Sequence, residues 1–116
     1  MPDNRRHKRV PLAAIAKLSL EDAGNVHAID AFTADISMSG IGVYSETAID
    51  IDRDVTLAIE FLGNDGLLRT DTIGGHVVYN NILGTKYFTG IEFNEQISPL
   101  GQPFLFERLQ RILAWG

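Results

Sequence analysis

Arg5-Arg6-His7-Lys8-Arg9 gathers four of the ten basic residues of a chain whose formal net charge is -5. With Asp3 included, the first nine residues carry +3 and the remaining 107 carry -8. A balance so polarised describes a local anion site rather than a basic face spread over the molecule. A second stretch has chemistry of its own: Asp35-Ile36-Ser37-Met38-Ser39-Gly40. Asp and Ser two apart fold their side chains onto nearby backbone N–H groups, and Gly40 permits a positive φ or the close approach of a ligand to the backbone. Each stretch alone has a plainer reading, the first as a solvated tail and the second as a self-capped hairpin turn.

The elements that must hold these stretches are legible from hydropathy. Pro11 restricts Val10 to extended geometry. Leu12, Ala14, Ala16, Leu18 and Leu20 then alternate with more polar positions as a half-buried strand does, blurred only by Ile15. Glu21 to Asn25 is turn chemistry, and 26–34 pairs back as a hairpin partner. Beyond the Asp35–Gly40 loop, 41–44 resumes an extended pattern. Val55, Leu57, Ile59 and Phe61 form a second alternating strand, closed by the turn Gly63-Asn64-Asp65-Gly66. Residues 67–79 extend again, with Gly74-Gly75 as the expected bend or bulge and Asn80-Asn81 as the expected turn. A last strand, 87–93, turns Tyr87, Thr89, Ile91 and Phe93 to one side. From Pro103 the period changes: Leu105, Leu109 and Ile112 fall at i, i+4 and i+7, an amphipathic helix that packs through these residues and Leu113. At roughly 10–15 residues such a helix is marginal alone and needs an apolar surface beneath it, a mouth of the sheet or a second subunit.

Composition narrows the function. A chain of 116 residues suits one domain with one core. Without cysteine it has no disulfide, no thiolate nucleophile and none of the common structural zinc sites. No apolar run approaches the roughly 20 residues needed to cross a bilayer, no secretory leader is visible, and a cytoplasmic location is expected. Asp50, Asp52 and Asp54 alternate, but without the glycine and distal Glu of a calcium loop they read as a solvated acidic loop, and no metal is expected. No phosphate-cradling glycine loop, His-Glu-x-x-His or dividable acid pair is present, so the chain is expected not to be an enzyme.

Arg-x-x-x-Arg at Arg5 and Arg9, followed about 25 residues later by Asp-x-Ser-x-x-Gly at Asp35, Ser37 and Gly40, resembles the PilZ domain family. Gly90-Ile91-Glu92-Phe93 is similar to the end of that family's barrel, so the resemblance covers almost the whole chain. It implies an all-β fold, a six-stranded antiparallel β-barrel with a C-terminal α-helix. A basic arm, 1–11, would precede the barrel and helix, 12–116, within a single domain. It also implies a receptor for the bacterial second messenger cyclic di-GMP that relays binding to an unidentified downstream protein. Arg5 and Arg9 would reach the nucleotide's guanines and phosphates, and Asp35, Ser37 and Gly40 would meet it from the barrel. Arg6, Tyr79 and Gly90 are candidate further contacts, while Lys8 adds charge.

The chemistry suits that ligand. Guanidinium forks clamp phosphates and the O6 and N7 edge of guanine, and stack on purines for about 0.5–2 kcal/mol. An Asp can accept from guanine N1–H and N2–H₂ or hold an arginine in place. His7 reads as solvated, while His76 and Tyr79 fall near the ligand mouth, Tyr79 as a stacking group. Two other readings stand beside this one. One is a PilZ-like interaction module that does not bind nucleotide. The other is a single-stranded nucleic-acid-binding barrel, which the acidic body, the arm's lack of aromatics and a pI near 5.0 oppose.

Overall fold

Alternation at period 2 governs the fold from residue 14 onward. A computed structural model describes residues 7–115. Its elements are β1 (Val10–Pro11), β2 (Ala14–Asp22), β3 (Asn25–Ile36), β4 (Gly40–Ser45), β5 (Asp54–Leu62), β6 (Leu68–Leu83), β7 (Lys86–Phe93) and α1 (Pro103–Trp115). All pairings are antiparallel, and because β4 pairs with both β7 and β3, six strands close into a ring in the order β3-β2-β5-β6-β7-β4. The two-residue β1 adds to β3, with Val10 opposite Ile36 and Pro11 opposite Asp35. The expected all-β ring with a C-terminal helix is therefore present.

The inward face is the one the pattern marks. Ala16, Leu18 and Leu20 of β2, Val55, Leu57, Ile59 and Phe61 of β5, and Thr89, Ile91 and Phe93 of β7 are all buried. Ile15, which blurred the pattern, is simply on the outer face and half exposed. Each fully buried aliphatic side chain contributes about 1.5–3 kcal/mol relative to exposure, which is how a ring without a disulfide holds together.

Two expected irregularities lie elsewhere. The chain passes straight through Asn80-Asn81 and turns at Gly84, where φ is 63° and glycine carries no penalty. Asn80 instead donates from Nδ2 to the Ile49 carbonyl at 3.0 Å, pinning the strand to the loop beside it. The bulge in β6 falls between Val77 and Tyr79 rather than at Gly74-Gly75. Gly75 serves close approach, since a Cβ there would sit 2.6 Å from the Glu92 carbonyl oxygen.

Helix α1 covers the mouth where β5 ends and β6 begins, with Leu105 and Leu109 buried in the same core as the strands. Pro103 opens it, where a missing N–H costs nothing. Its first turn is capped from afar: the Leu105 N–H donates to Asp71 Oδ2 on β6 at 2.7 Å. Asp71 is buried, and its carboxylate meets both the orphan amide and the positive end of the helix dipole. The Arg69 guanidinium lies 4.5 Å over the Phe104 ring, and Arg108 Nη1 donates to the Leu62 carbonyl at 2.9 Å.

Candidate functional site

The loop from Ile36 to Gly40 is built by Ser37. Its Oγ accepts from the backbone N–H groups of Ser39 and Gly40, each at 3.2 Å, while its own N–H donates to the Gly40 carbonyl at 2.8 Å. Ser37 is buried, so its hydroxyl shapes the turn from inside. Two outside bonds fix the loop to the barrel rim: Phe93 N–H to the Ser39 carbonyl and Ile97 N–H to the Met38 carbonyl, both 2.9 Å. Gly40 is required by proximity, because a Cβ there would lie 2.7 Å from the Ile91 carbonyl oxygen on β7.

Asp35 precedes this turn, where the β3–β4 register shifts between Thr33 and Asp35. A bulge re-aims a side chain, and here Asp35 meets the start of the chain. Arg9 Nη1 donates to Asp35 Oδ1 at 2.7 Å, the two side chains retaining 22% and 35% of their exposure. Sequence expectation allowed Asp35 two roles, and this contact is the second, an Asp holding an arginine in place. Arg9 Nε is buried and bonds to nothing among the described residues.

Arg9, Ser37, Ser39 and Gly40 together line a cleft of about 440 Å³ with Val78, Ile91, Glu92, Phe93, Asn94 and Gln96. A guanidinium and polar side chains converge there on an apolar floor, an arrangement that suits an anion carrying a flat ring. Beside the cleft, one cross-strand row runs Asp35, Gly42, Gly90, Tyr79. The two glycines let neighbouring side chains lie directly on the backbone. A Cβ on Gly42 would meet the Phe88 ring at 2.7 Å, and one on Gly90 the Tyr79 Cβ at 3.3 Å. Tyr79 is half exposed and stands edge-on to Phe88 at 6.0 Å between centroids, and Phe88 in turn to Tyr44 at 5.3 Å.

Of the residues expected from sequence, Arg9, Asp35, Ser37 and Gly40 gather at this cleft, and Tyr79 and Gly90 share the adjoining row. Arg5 and Arg6 lie outside the described residues, as does the expected behaviour of that part of the arm. Ser39, Gly42, Glu92 and Asn94 were not anticipated. Ser39 and Gly42 left a signal as neighbours of the loop motif and Glu92 as part of the last strand's Gly-Ile-Glu-Phe stretch, whereas Asn94, just past β7, arrives only through the fold. His76, expected near the ligand mouth, contacts two of them: Nδ1 lies 3.3 Å from Asn94 Oδ1 and Nε2 3.6 Å from Glu92 Oε1. Among the described residues no cluster of His, Cys, Asp or Glu is arranged to hold a metal, and no helix is long and apolar enough to cross a membrane.

A family model described as the PilZ domain matches residues 3–114. No curated protein matches the sequence. Among solved structures, the Bacillus subtilis inhibitor of motility (MotI/DgrA) superposes with a TM-score of 0.74 at 17% identity over 97% of this chain. The match covers 53% of that protein, so this chain spans about half its length. The PilZ domain of YcgR from Escherichia coli, solved with cyclic di-GMP, superposes with a TM-score of 0.56 at 20% identity, covering 97% of this chain and 90% of that one. At such identities the likeness is one of fold, and family membership rests on the sequence match, which takes in both the arm and the motif loop. The chain belongs to the PilZ domain family.

Proposed function

We propose that this chain is a cytoplasmic receptor for cyclic di-GMP, binding it between the arm and the Asp35–Gly40 loop and relaying occupancy to a partner protein, with no catalytic step of its own. The observation that carries this reading is Arg9: its guanidinium is anchored by Asp35 at 2.7 Å and lines the cleft beside Ser37, Ser39 and Gly40. A guanine O6/N7 edge or a phosphate matches such a held guanidinium. Arg5 supplies a second fork. Asp35 orients Arg9, Ser37 holds the turn, and Gly40 lets that turn lie close against β7 at the edge of the cleft. Tyr79 offers a half-exposed ring for a purine to stack on, with Gly90 beside it, and Arg6 adds a further contact. Family membership and the cyclic di-GMP of the Escherichia coli YcgR domain support the choice of ligand. Residues 1–11 act as the arm of a single domain whose body is 12–116.

Calorimetric titration of the purified chain with cyclic di-GMP, GTP and a short single-stranded DNA tests this. Saturable binding of cyclic di-GMP alone is expected. No heat with any of the three makes the chain a PilZ module without nucleotide, and salt-sensitive binding of the DNA makes it a nucleic-acid barrel.

A further inference from the structure

A second groove lies apart from the motif cleft. It lies at the foot of α1, has a volume of about 680 Å³, and is formed by Leu62, Gly63, Asn64 and Gly66 of the β5–β6 turn facing Arg108, Arg111 and Ile112 of the helix. Leu67 and Leu68, which follow the same turn in sequence, are both more than half exposed. Neither arginine meets a carboxylate. Arg108 bonds to the Leu62 carbonyl, and Arg111 has no hydrogen bond or ion pair among the described residues. The nearby Glu107 accepts instead from Asn64 Nδ2 at 3.2 Å. The groove is thus apolar within and cationic at its edge, on a chain of net charge -5.

The opposite end of the barrel carries the complementary shape. Between β4 and β5 the chain makes a tight turn at Asp50-Ile51-Asp52-Arg53, closed by the Arg53 N–H donating to the Asp50 carbonyl at 3.3 Å, with Asp52 at a φ of 72°. Ile49 before it is buried in the core, which fixes the turn, while Ile51 at the tip is 52% exposed between the two carboxylates. Arg53 does not neutralise them, since its guanidinium is 3.1 Å from Asp22. An aliphatic side chain flanked by acids is therefore held out from one end, and an apolar groove edged by guanidiniums lies open at the other. β5, nine residues long, separates the two by roughly 30 Å at about 3.4 Å per residue.

We propose that these surfaces meet between copies of this chain, the Asp50-Ile51-Asp52 tip of one seating in the α1 groove of the next. The contact is head-to-tail, and each copy keeps one tip and one groove free, so assembly grows with concentration instead of stopping at a two-fold dimer. Its size is that of a single knob and a few flanking charges, well below the roughly 1,200 Å² of a stable interface, so the association is weak and weakens further with salt.

Sedimentation velocity of the full chain over a concentration series, up to about 1 mM where contacts of about 4 kcal/mol are half formed, tests this. The wild type is expected to gain mass continuously. Arg111→Glu spoils the groove, and Ile51→Asp spoils the tip, with Asp50→Lys as a second tip variant should the first alter folding. Each alone is expected to stay monomeric with an unchanged melting temperature. Mixed in equal amounts, a groove variant and a tip variant still have one good groove and one good tip between them, and are expected to form a complex that stops at two chains. A wild type that remains monomeric throughout overturns the proposal and leaves the groove to another protein. So does association that survives both substitutions, or a mixture that stays monomeric.

Discussion

The two mouths of this barrel are closed in different ways and carry different charge. At one, where β5 ends and β6 begins, α1 lies over the core and the motif loop and Arg9 stand at the rim. At the other, the 46–53 loop folds across with Ile49 as its plug, tied by Asp52 N–H to the Val77 carbonyl at 2.8 Å. Among the described residues that second mouth gathers Glu21, Asp22, Glu46, Asp50, Asp52 and Asp54, with Arg53 paired to Asp22 and Lys86 to Glu46. Both mouths are sealed by apolar burial, but the first also sets an Asp-anchored guanidinium on an open cleft. Sealing and charge are therefore separable: the far loop seals with its arginine paired to Asp22, whereas the near mouth has its lid in α1 and a separate polar loop beside Arg9.

Substitutions that strip the near mouth of its lid sharpen the contrast most. Leu109→Ala, at a side chain 1% exposed, is expected to cost about 2–5 kcal/mol in chemical denaturation. Asp71→Ala should cost about 1–2 kcal/mol by removing the cap, and amide exchange at Leu105 should rise more than at β5. If the exchange rises equally everywhere, the helix is not a separately held lid. Gly40→Ala should cost about 1–3 kcal/mol, because its Cβ presses on the Ile91 carbonyl. The smallest effect concerns pH. The Arg69 guanidinium bonded to Asp65, aided by the Leu67 N–H, holds the Asp65 carboxyl below the usual carboxylate range. That pairing favours the fold above the unfolded carboxyl's pKa and ceases to do so as pH falls through the lower folded value. Acid titration of Arg69→Ala should therefore lose a slight pH dependence between those two values, while Lys86→Ala, whose salt bridge to Glu46 lies at the far mouth, should keep it.

Alternation was enough to recover the inward faces of β2, β5 and β7, because a strand with one face on a core must repeat every second residue. The helix was equally legible from Leu105 and Leu109. Arg9, Asp35, Ser37 and Gly40 were singled out because Arg-x-x-x-Arg and Asp-x-Ser-x-x-Gly stand in the order that the PilZ family has them, and the fold brings these four residues together. Where inference went astray, tertiary contact had replaced a local preference. Asn80-Asn81 looks like a turn, but Asn80 is engaged by the Ile49 carbonyl, and Gly84 alone offers the positive φ. Asp71 was invisible as a cap because it lies 34 residues from the amide it holds. That Gly42 and Gly90 stand opposite each other appears only once β4 and β7 are in register.

The central claim, that recognition resides at the near mouth in specific contacts, is tested most directly by calorimetric titration of cyclic di-GMP into a set of variants. Arg9→Ala, Arg5→Ala and Asp35→Ala should each lose about 1–3 kcal/mol, tenfold or more in affinity, with Arg6→Ala and Lys8→Ala losing less and Arg53→Ala at the far mouth losing nothing. Equal losses at Arg5, Arg6, Lys8 and Arg9, each lowering the salt slope by about one and with none at Asp35, would contradict it.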